Sequence, residues 1–282
     1  MKKLFAVLGD PIAHSMSPAM HNDLFAHYRL EAEYLPFQVQ KENLKDAVKG
    51  LKALGAAGFN VTVPHKSAIL PFLDEIDELA LSIGAVNTVV NRSGKLVGYN
   101  TDGLGFIKGL ETFLPQLANK KALVIGAGGA ARAIYFSLAQ LDCLTIDLAN
   151  RTVQKAEELI RDCPFTNASR AFSLDEAAAK LGDYDLLIQT TSIGMHPNST
   201  EQPLRLDRLG NKAVVCDIIY NPLYTQFLQQ AKQRGATVQN GLEMFVYQGA
   251  LAFEKWTGIF PDIQRMKTNV LQQLRRTLNV NR

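Results

Sequence analysis

Short apolar runs alternate along the chain with stretches whose apolar positions recur every three or four residues, so strands and helices are expected in turn. Residues 4–8 read as a first strand, ended by Gly9-Asp10-Pro11. Ser17-Pro18 reads as a helix start, with serine at the N-cap and proline at the first helical position, and the helix runs over 19–28. A second strand is expected over 33–39 and a helix over 44–54, where Leu44, Val48, Leu51 and Leu54 share one face. A third strand over 57–63 is closed by Pro64, and the strand-helix repeat marks an α/β domain. Residues 69–73 and 76–81 read as short helices, 85–91 and 95–98 as a hairpin about Ser93-Gly94, and 104–113 as a helix.

The stretch from Lys121 to Thr152 combines these signals most tightly. Ala122-Leu123-Val124-Ile125 is an apolar run suited to a parallel strand buried on both faces. Gly126-Ala127-Gly128-Gly129-Ala130-Ala131 follows at once, then a helical segment over 132–141 and a second apolar run over 144–149, ending in Asn150-Arg151-Thr152. Strand, glycine turn, helix, strand is the opening of a dinucleotide-binding unit. In that reading Gly126 permits the tight turn, Gly128 lets a pyrophosphate approach the backbone, and Ala131 lets the helix lie close to the sheet. The helix N-terminus meets the phosphates with N–H groups and the positive end of its dipole. NAD enzymes usually carry an acid at the tip of the second strand for the ribose 2′-OH. Here Arg151 stands at the tip, suited to a 2′-phosphate, Lys155 adds charge one turn into the next helix, and Asp147 lies too far down the strand. NADP is the expected cofactor.

Further helices are expected over 153–160, 174–181 and 225–234, and strands within 168–172, over 185–190, over 213–218 and from 235. The loop Thr190-Thr191-Ser192-Ile193-Gly194-Met195 lies where the cofactor's ribose and nicotinamide would pass. Gly241 opens a long helix that reaches Trp256, and 263–278 forms a final helix. No strand follows it, so it is expected to return and brace the first domain.

Composition narrows the function. The chain has 282 residues, 47% of them hydrophobic, enough for two domains of ordinary size. The net charge is only +3 and no dense lysine or arginine run occurs, which argues against nucleic acid as a partner. Arg265, Lys267, Arg275, Arg276 and Arg282 are spaced as one helix face, with Val270, Leu271, Leu274 and Leu278 on the other. No run approaches the ~18 apolar residues needed to span a membrane. Met1-Lys2-Lys3 leads straight into a strand rather than into a signal segment. Cys143, Cys163 and Cys216 read as reduced, mostly buried thiols of a cytoplasmic protein, and the histidines form no metal-ligand cluster.

Candidate chemistry sits at strand ends, where open α/β sheets bind ligands. Thr62 and Lys66 lie at or just past the third strand, and Asp102 precedes the helix at 104. Oxidising an alcohol with a dinucleotide needs a hydride acceptor and a group that manages the hydroxyl proton. Lys66 and Asp102 fit the second role; the plainer alternative is a surface lysine and a helix-capping aspartate. Ser15, Ser17, Thr62, Asn87 and Gln248 are uncharged polar residues beside turns or strand ends and suit a substrate rich in hydroxyls. Tyr220 follows a buried strand, either to reach a carboxylate or the nicotinamide amide or to pack with its hydroxyl satisfied. His14 is a ligand residue or a ring held by the backbone.

Seven segments in order, spanning essentially the whole chain, resemble the shikimate dehydrogenase family: Gly9 to Pro18, Asn60 to Lys66, Gly84 to Thr88, Gly98 to Gly103, Gly126 to Ala133, Asn150 to Thr152, and Gly241 to Gln248. The resemblance implies NADP-linked interconversion of 3-dehydroshikimate and shikimate by direct hydride transfer, on the route to chorismate and the aromatic amino acids. It implies a substrate domain over 1–103, a Rossmann-type NADP domain over 104–240, C-terminal helices over 241–282, and a cleft between the domains whose closure gates the reaction. Lys66 and Asp102 would be catalytic. Ser15, Ser17, Thr62, Asn87, Asp102 and Gln248 would hold the ring's hydroxyls and carboxylate, with the serines and Tyr220 on the carboxylate side. Gly126, Ala127, Gly128, Gly129, Ala130, Ala131, Asn150, Arg151, Thr152, Lys155, Thr191, Ser192, Met195, Ile218, Gly241 and Met244 would line the NADP site. The family is expected as a monomer or homodimer.

Two departures stand out. Gln189-Thr190-Thr191-Ser192 replaces the frequent Asn-Ala-Thr-Ser, a change at a turn position expected at most to tune the cofactor pocket. Lys155 replaces a second arginine, giving a point charge without a planar fork. The alternatives are an NAD-using quinate or broad cyclitol dehydrogenase, against which Ser15 and Asn150-Arg151 argue, and a catalytically silent nucleotide sensor, against which Lys66 and Asp102 argue.

Overall fold

The computed structural model describes residues 2–142, 144–166, 168–196 and 198–280, with 277–280 as backbone only. Cys143 and Arg282 therefore lie outside the described residues, as does the side chain of Leu278. In order, the elements are β1 (Lys3–Gly9), α1 (Ser17–His27), β2 (Ala32–Gln38), α2 (Leu44–Ala53), β3 (Gly58–Val61), β4 (Glu75–Ile76), α3 (Glu78–Ile83), β5 (Thr88–Arg92), β6 (Lys95–Tyr99), α4 (Asp102–Glu111) and β7 (Lys120–Ile125). Then come α5 (Gly129–Ala139), β8 (Leu144–Ala149), α6 (Val153–Asp162), β9 (Ala171–Phe172), α7 (Leu174–Ala179), β10 (Leu186–Gln189), β11 (Val214–Asp217), α8 (Gln226–Gln233), β12 (Thr237–Gln239), α9 (Leu242–Thr257) and α10 (Ile263–Val280). They fall into two compact units: Met1–Thr101 with Val246–Arg282, and Asp102–Phe245.

The first unit is built on a sheet of order β2-β1-β3-β5-β6-β4. β1 runs parallel to β2 and β3, whereas β5 is antiparallel to β3 and β6. The two-residue period of β1 divides its apolar side chains between the faces. Ala6 and Leu8 join Leu44, Val48, Leu51, Phe59 and Val61 in one core. Phe5 turns the other way, stacking on Phe25 and meeting the Trp256 ring at a tilt of 43°. Gly58 is required there, because a Cβ would lie 2.3 Å from the Trp256 Nε1, which donates to the Val89 carbonyl at 2.9 Å. The final helix does return to this unit. α10 packs against α1, held by a two-pronged pair from Arg265 to the Asp23 carboxylate at 2.6 and 2.7 Å and buried through Met266, Val270 and Leu274.

His21 of α1 is buried on the aromatic face, its ring 4.6 Å from that of Tyr34 and 5.2 Å from that of Trp256. Among the described residues its Nδ1 has no hydrogen-bond partner, and burial drives its pKa down from 6.5 to about 3.

The second unit is an all-parallel sheet of order β12-β11-β10-β7-β8-β9. The chain runs outward from β7 through β8 to β9, then crosses to β10 on the other side. That is the strand order of a Rossmann-type fold, with its switch point between β7 and β10. Its core joins Leu123, Ile125, Leu187, Val215, Phe227 and Leu228. α4 lies against α5 at Gly103, where a Cβ would meet the Ala133 carbonyl at 2.3 Å.

Several local expectations need correction. Both short helices expected over 69–73 and 76–81 are present with shifted bounds: the first is a 3-10 helix over Leu70–Phe72, and the second, α3, starts only at Glu78 because Glu75–Ile76 is β4. The backbone of Asp74 and Asp77 is taken by β6, through N–H bonds to the Leu96 and Gly98 carbonyls, and the Asp74 carboxylate accepts the Leu96 N–H at 2.7 Å. Ser17 is not an N-cap. Met16 is already in helical conformation, so Ser17 is the first helical residue, and its N–H donates to Ser15 Oγ at 3.4 Å. α4 likewise starts at Asp102, which is in the helix rather than capping it, and α5 starts at Gly129 rather than at 132.

The His21 ring sets a sign for acid stability. The unfolded chain takes up this proton below pH 6.5 and the folded chain only near 3, so the unfolded state binds more protons between those values and stability falls with pH there. Relative to His21→Leu, the wild-type unfolding free energy should drop by about 2 kcal/mol from pH 7 to pH 5, measured by urea titration.

Candidate active site

In the first unit, the ends of the parallel strands and the entry to β5 meet on one edge of the sheet. Asn60 pairs with Thr88, and Thr88 with Tyr99. The Thr62 N–H donates to the Leu8 carbonyl at 2.9 Å, and a Cβ on Gly9 would strike the Thr62 methyl at 2.5 Å. The loop that leaves β1 thus starts close to Thr62, and it leads through Ser15 to Ser17 at the start of α1. The Lys66 carbonyl accepts the Val86 N–H at 2.8 Å, which holds the lysine's backbone beside the residue that precedes Asn87. Ser15, Ser17, Thr62 and Lys66 are half-buried, and Asn87 and Asp102 are buried. Asp102 is one peptide bond beyond Thr101, whose N–H donates to Asn87 Oδ1 at 2.9 Å. Gln248 is half-buried on α9, next to Gly249, which packs on Met20 of α1. His14 is exposed.

Sequence reasoning missed the polar residues beneath this edge. The buried Tyr34 hydroxyl donates to Asn60 Oδ1 at 2.6 Å. The Asn60 amide then donates to the Asn87 carbonyl at 3.0 Å and to Thr88 Oγ1 at 3.1 Å, and the Asn87 amide donates to Thr101 Oγ1 at 3.0 Å. Burial lifts the Tyr34 phenol well above the usual tyrosine range, with Ser17, its hydrogen-bond partner, working the other way. The available signal was Asn60 itself, a polar residue inside an apolar strand that has to find partners when buried.

In the second unit the glycine turn lies at the switch point. Gly126 has φ +117° and donates its N–H to the Ala149 carbonyl at 2.8 Å. A Cβ there would lie 2.5 Å from Thr190 Oγ1. Thr190 donates both its N–H and its hydroxyl to the Ile125 carbonyl, at 3.0 and 2.7 Å, so the turn and the loop after β10 run side by side. Gly128 and Gly129 are exposed, and a Cβ on either would meet nothing within 4 Å among the described residues. Ala127 and Ala130 are half-buried, and Ala131 is buried against the sheet. That open, side-chain-free turn at the start of α5 fits a pyrophosphate.

Asn150 donates to the Thr152 carbonyl at 2.8 Å and shapes the tip of β8, where Arg151, Thr152 and Lys155 are exposed. Asp147 is fully buried and anchored by the Tyr184 hydroxyl at 2.9 Å and the Arg170 N–H at 2.9 Å. It is unavailable to a ribose hydroxyl, and the tip is left basic. These residues fit NADP.

Gln189 falls inside the strand expected over 185–190, and the turn position also expected of it is corrected. It is not a turn residue but the fully buried last residue of β10. Beyond it, Thr191 is half-buried, and Ser192 and Met195 are exposed. The Ile218 N–H donates to the Gln189 carbonyl at 3.1 Å, and the Gly241 N–H to the Ile219 carbonyl at 2.9 Å. Gly241 passes so close to β11's exit that a Cβ would sit 2.0 Å from the Ile218 carbonyl oxygen. Met244 is half-buried at the start of α9, and Tyr220 lies 4.8 Å from the Phe245 ring, its phenol pushed up by burial. Asp217 accepts from the Ile219 N–H and the Thr225 hydroxyl, at 3.0 and 2.7 Å, and burial raises its carboxyl to about 6. Among the described residues, no group of three or more His, Cys, Asp or Glu could hold a metal. Among them too, no helix is long and apolar enough to cross a membrane.

Comparison with known proteins follows this division. Residues 7–89 match the shikimate dehydrogenase substrate binding domain, 109–218 match shikimate / quinate 5-dehydrogenase, and 241–271 match the shikimate 5'-dehydrogenase C-terminal domain. A shikimate dehydrogenase (NADP(+)) of Bacillus anthracis is 56% identical over 275 residues, 97% of this chain and 99% of the relative. The chain belongs to the shikimate dehydrogenase family. Among solved shikimate dehydrogenases, one in complex with NADP+ superposes with a TM-score of 0.91 at 43% identity, covering 97% of this chain and 96% of that one. The Thermus thermophilus shikimate 5-dehydrogenase in complex with NADP(H) and shikimate gives 0.88 at 37% identity, covering 96% and 99%.

The buried chain of bonds from Tyr34 to Asn87 generates a stability test. Tyr34→Phe keeps the ring but leaves the Asn60 oxygen without its donor, and should cost about 1–3 kcal/mol in urea unfolding.

Proposed function

We propose that this protein reduces 3-dehydroshikimate to shikimate with NADPH, reversibly, on the route to chorismate and the aromatic amino acids. The observation that carries the reading is the first unit's strand-end edge, bearing Ser15, Ser17, Thr62, Lys66 and Asn87, in a chain 56% identical over 97% of its length to a shikimate dehydrogenase (NADP(+)). On this reading residues 1–103 form the substrate domain and 104–240 the NADP domain, with the helices of 241–282 bridging back to the first. The enzyme works in the cytoplasm, as a monomer or homodimer, on a small molecule.

When bound, NADP supplies or accepts the hydride at nicotinamide C4. The protein's residues do the rest. Ser15, Ser17 and Tyr220 hold the ring's carboxylate side; Thr62, Asn87 and Gln248 hold its hydroxyls. Lys66 binds the oxygen that alternates between hydroxyl and ketone, and its ammonium meets the negative charge that develops there during reduction. Asp102 shares with Lys66 the transfer of the hydroxyl proton. Gly126 to Ala131 receive the pyrophosphate, and Asn150, Arg151, Thr152 and Lys155 the adenosine phosphate. Thr191, Ser192, Met195, Ile218, Gly241 and Met244 line the path of the ribose and nicotinamide.

Initial rates at 340 nm test this directly, with shikimate or quinate and NADP or NAD. Turnover of shikimate with NADP is expected to dominate; comparable quinate or NAD turnover would move the protein to a broader dehydrogenase, and none in any pairing would leave a sensor. Lys66→Ala should lower kcat by about 10²- to 10⁴-fold with a small change in shikimate KM. Arg151→Ala should raise the KM for NADP about 10- to 100-fold, the worth of one charged hydrogen bond, and leave that for NAD little changed.

A further inference from the structure

The loop after β10 leaves the sheet, so its backbone groups lose their ladder partners. One side chain supplies replacements. Gln189 Nε2 donates to the Thr191 carbonyl at 3.1 Å and to the Ile193 carbonyl at 3.0 Å, while its Oε1 accepts the Thr191 N–H at 2.7 Å. Its main-chain carbonyl takes the Ile218 N–H at 3.1 Å. The residue is fully buried and pairs in register with Ile125, the last residue before the glycine turn, and with Asp217 at the end of β11. Gln189 therefore touches three segments at once: the turn's strand, the loop at 191–193, and the exit of β11. Thr191 Oγ1 adds a bond from the Ile193 N–H at 3.2 Å, which closes the loop on itself.

We propose that Gln189 is a positioning residue for dinucleotide binding. It touches no reacting atom. Its amide presets the backbone of 191–193, so that Thr191 and Ser192 meet the cofactor without an ordering step at the moment of binding. A short polar side chain on a strand end is an ordinary cap; an amide that satisfies both donors and acceptors of the loop is a template for its shape. The inference rests on the proposed assignment of Thr191 and Ser192 to the dinucleotide site.

The test is equilibrium binding of NADP+ and, separately, of shikimate to the full chain, by calorimetry, for wild type, Gln189→Leu and Gln189→Asn. Leucine approximates the size and removes all the side-chain bonds. Its Kd for NADP+ should rise about tenfold, with the shikimate Kd within about twofold of wild type. Asparagine keeps an amide and should recover part of the loss. A Gln189→Leu variant with lowered Tm but unchanged NADP+ affinity would overturn the proposal, as would an equal weakening of both ligands. Should the leucine variant not fold, Gln189→Met, which matches the glutamine in length, is read by the same criteria. Wild type that binds NADP+ but turns over no shikimate would defeat the proposed reaction, while the effect of Gln189 on NADP+ binding would still be read.

Discussion

A parallel sheet sends every loop that follows a strand off the same edge, and each of those loops must find partners for backbone groups that the ladder no longer serves. In the second unit the bond that matters most is the double donation from Thr190 to the Ile125 carbonyl. It ties the strand before the glycine turn to the loop after β10, across the switch point. Gly126 has to be glycine for two reasons at once: its positive φ, and the Thr190 hydroxyl standing where its Cβ would be. The rest of this edge hangs on that juncture, with Gln189 behind it and Ile218 and Gly241 beyond it.

The first unit solves the same problem with side-chain amides. Asn87 replaces a missing ladder partner for Thr101, and Asn60 stands behind Asn87. Such a network helps only when every member is satisfied, since an unpaired buried amide costs about as much as the bond gained. The buried ionisable groups follow a different logic. His21 is kept neutral among aromatic rings, and Asp217 holds a proton more readily than a free carboxyl. Their signs oppose. His21 makes the folded state weaker as pH falls from 6.5, whereas Asp217 binds its proton first in the folded state and favours folding between about 6 and 3.8.

Much of this was legible from residue order. β7, the glycine turn, α5 and β8 are local in sequence, and each piece announces itself by period or by glycine. The Ser93-Gly94 hairpin was legible for the same reason: both residues take positive φ, and the Asn91 side chain accepts the Gly94 N–H at 2.7 Å. What was not legible depends on partners far away in the chain. Glu75–Ile76 has the apolar spacing of a helix start, and only β6 makes it a strand. Ser17 has the residue type of a cap, but the loop before it is already wound when it arrives. Gln189 was legible as part of the strand over 185–190, but not its full burial, which comes from β7 and β11 on either side. Tyr34 and Asn60 are joined across 26 positions by a bond that no pattern in either segment announces.

Direct transfer of hydride is the claim on which the proposed chemistry stands, and an isotope label follows it. Shikimate carrying deuterium at the carbon that becomes the ketone should be oxidised with the label recovered on the reduced nicotinamide, read by mass spectrometry of the dinucleotide product. Label released to water would contradict direct transfer and the roles given to Lys66 and Asp102.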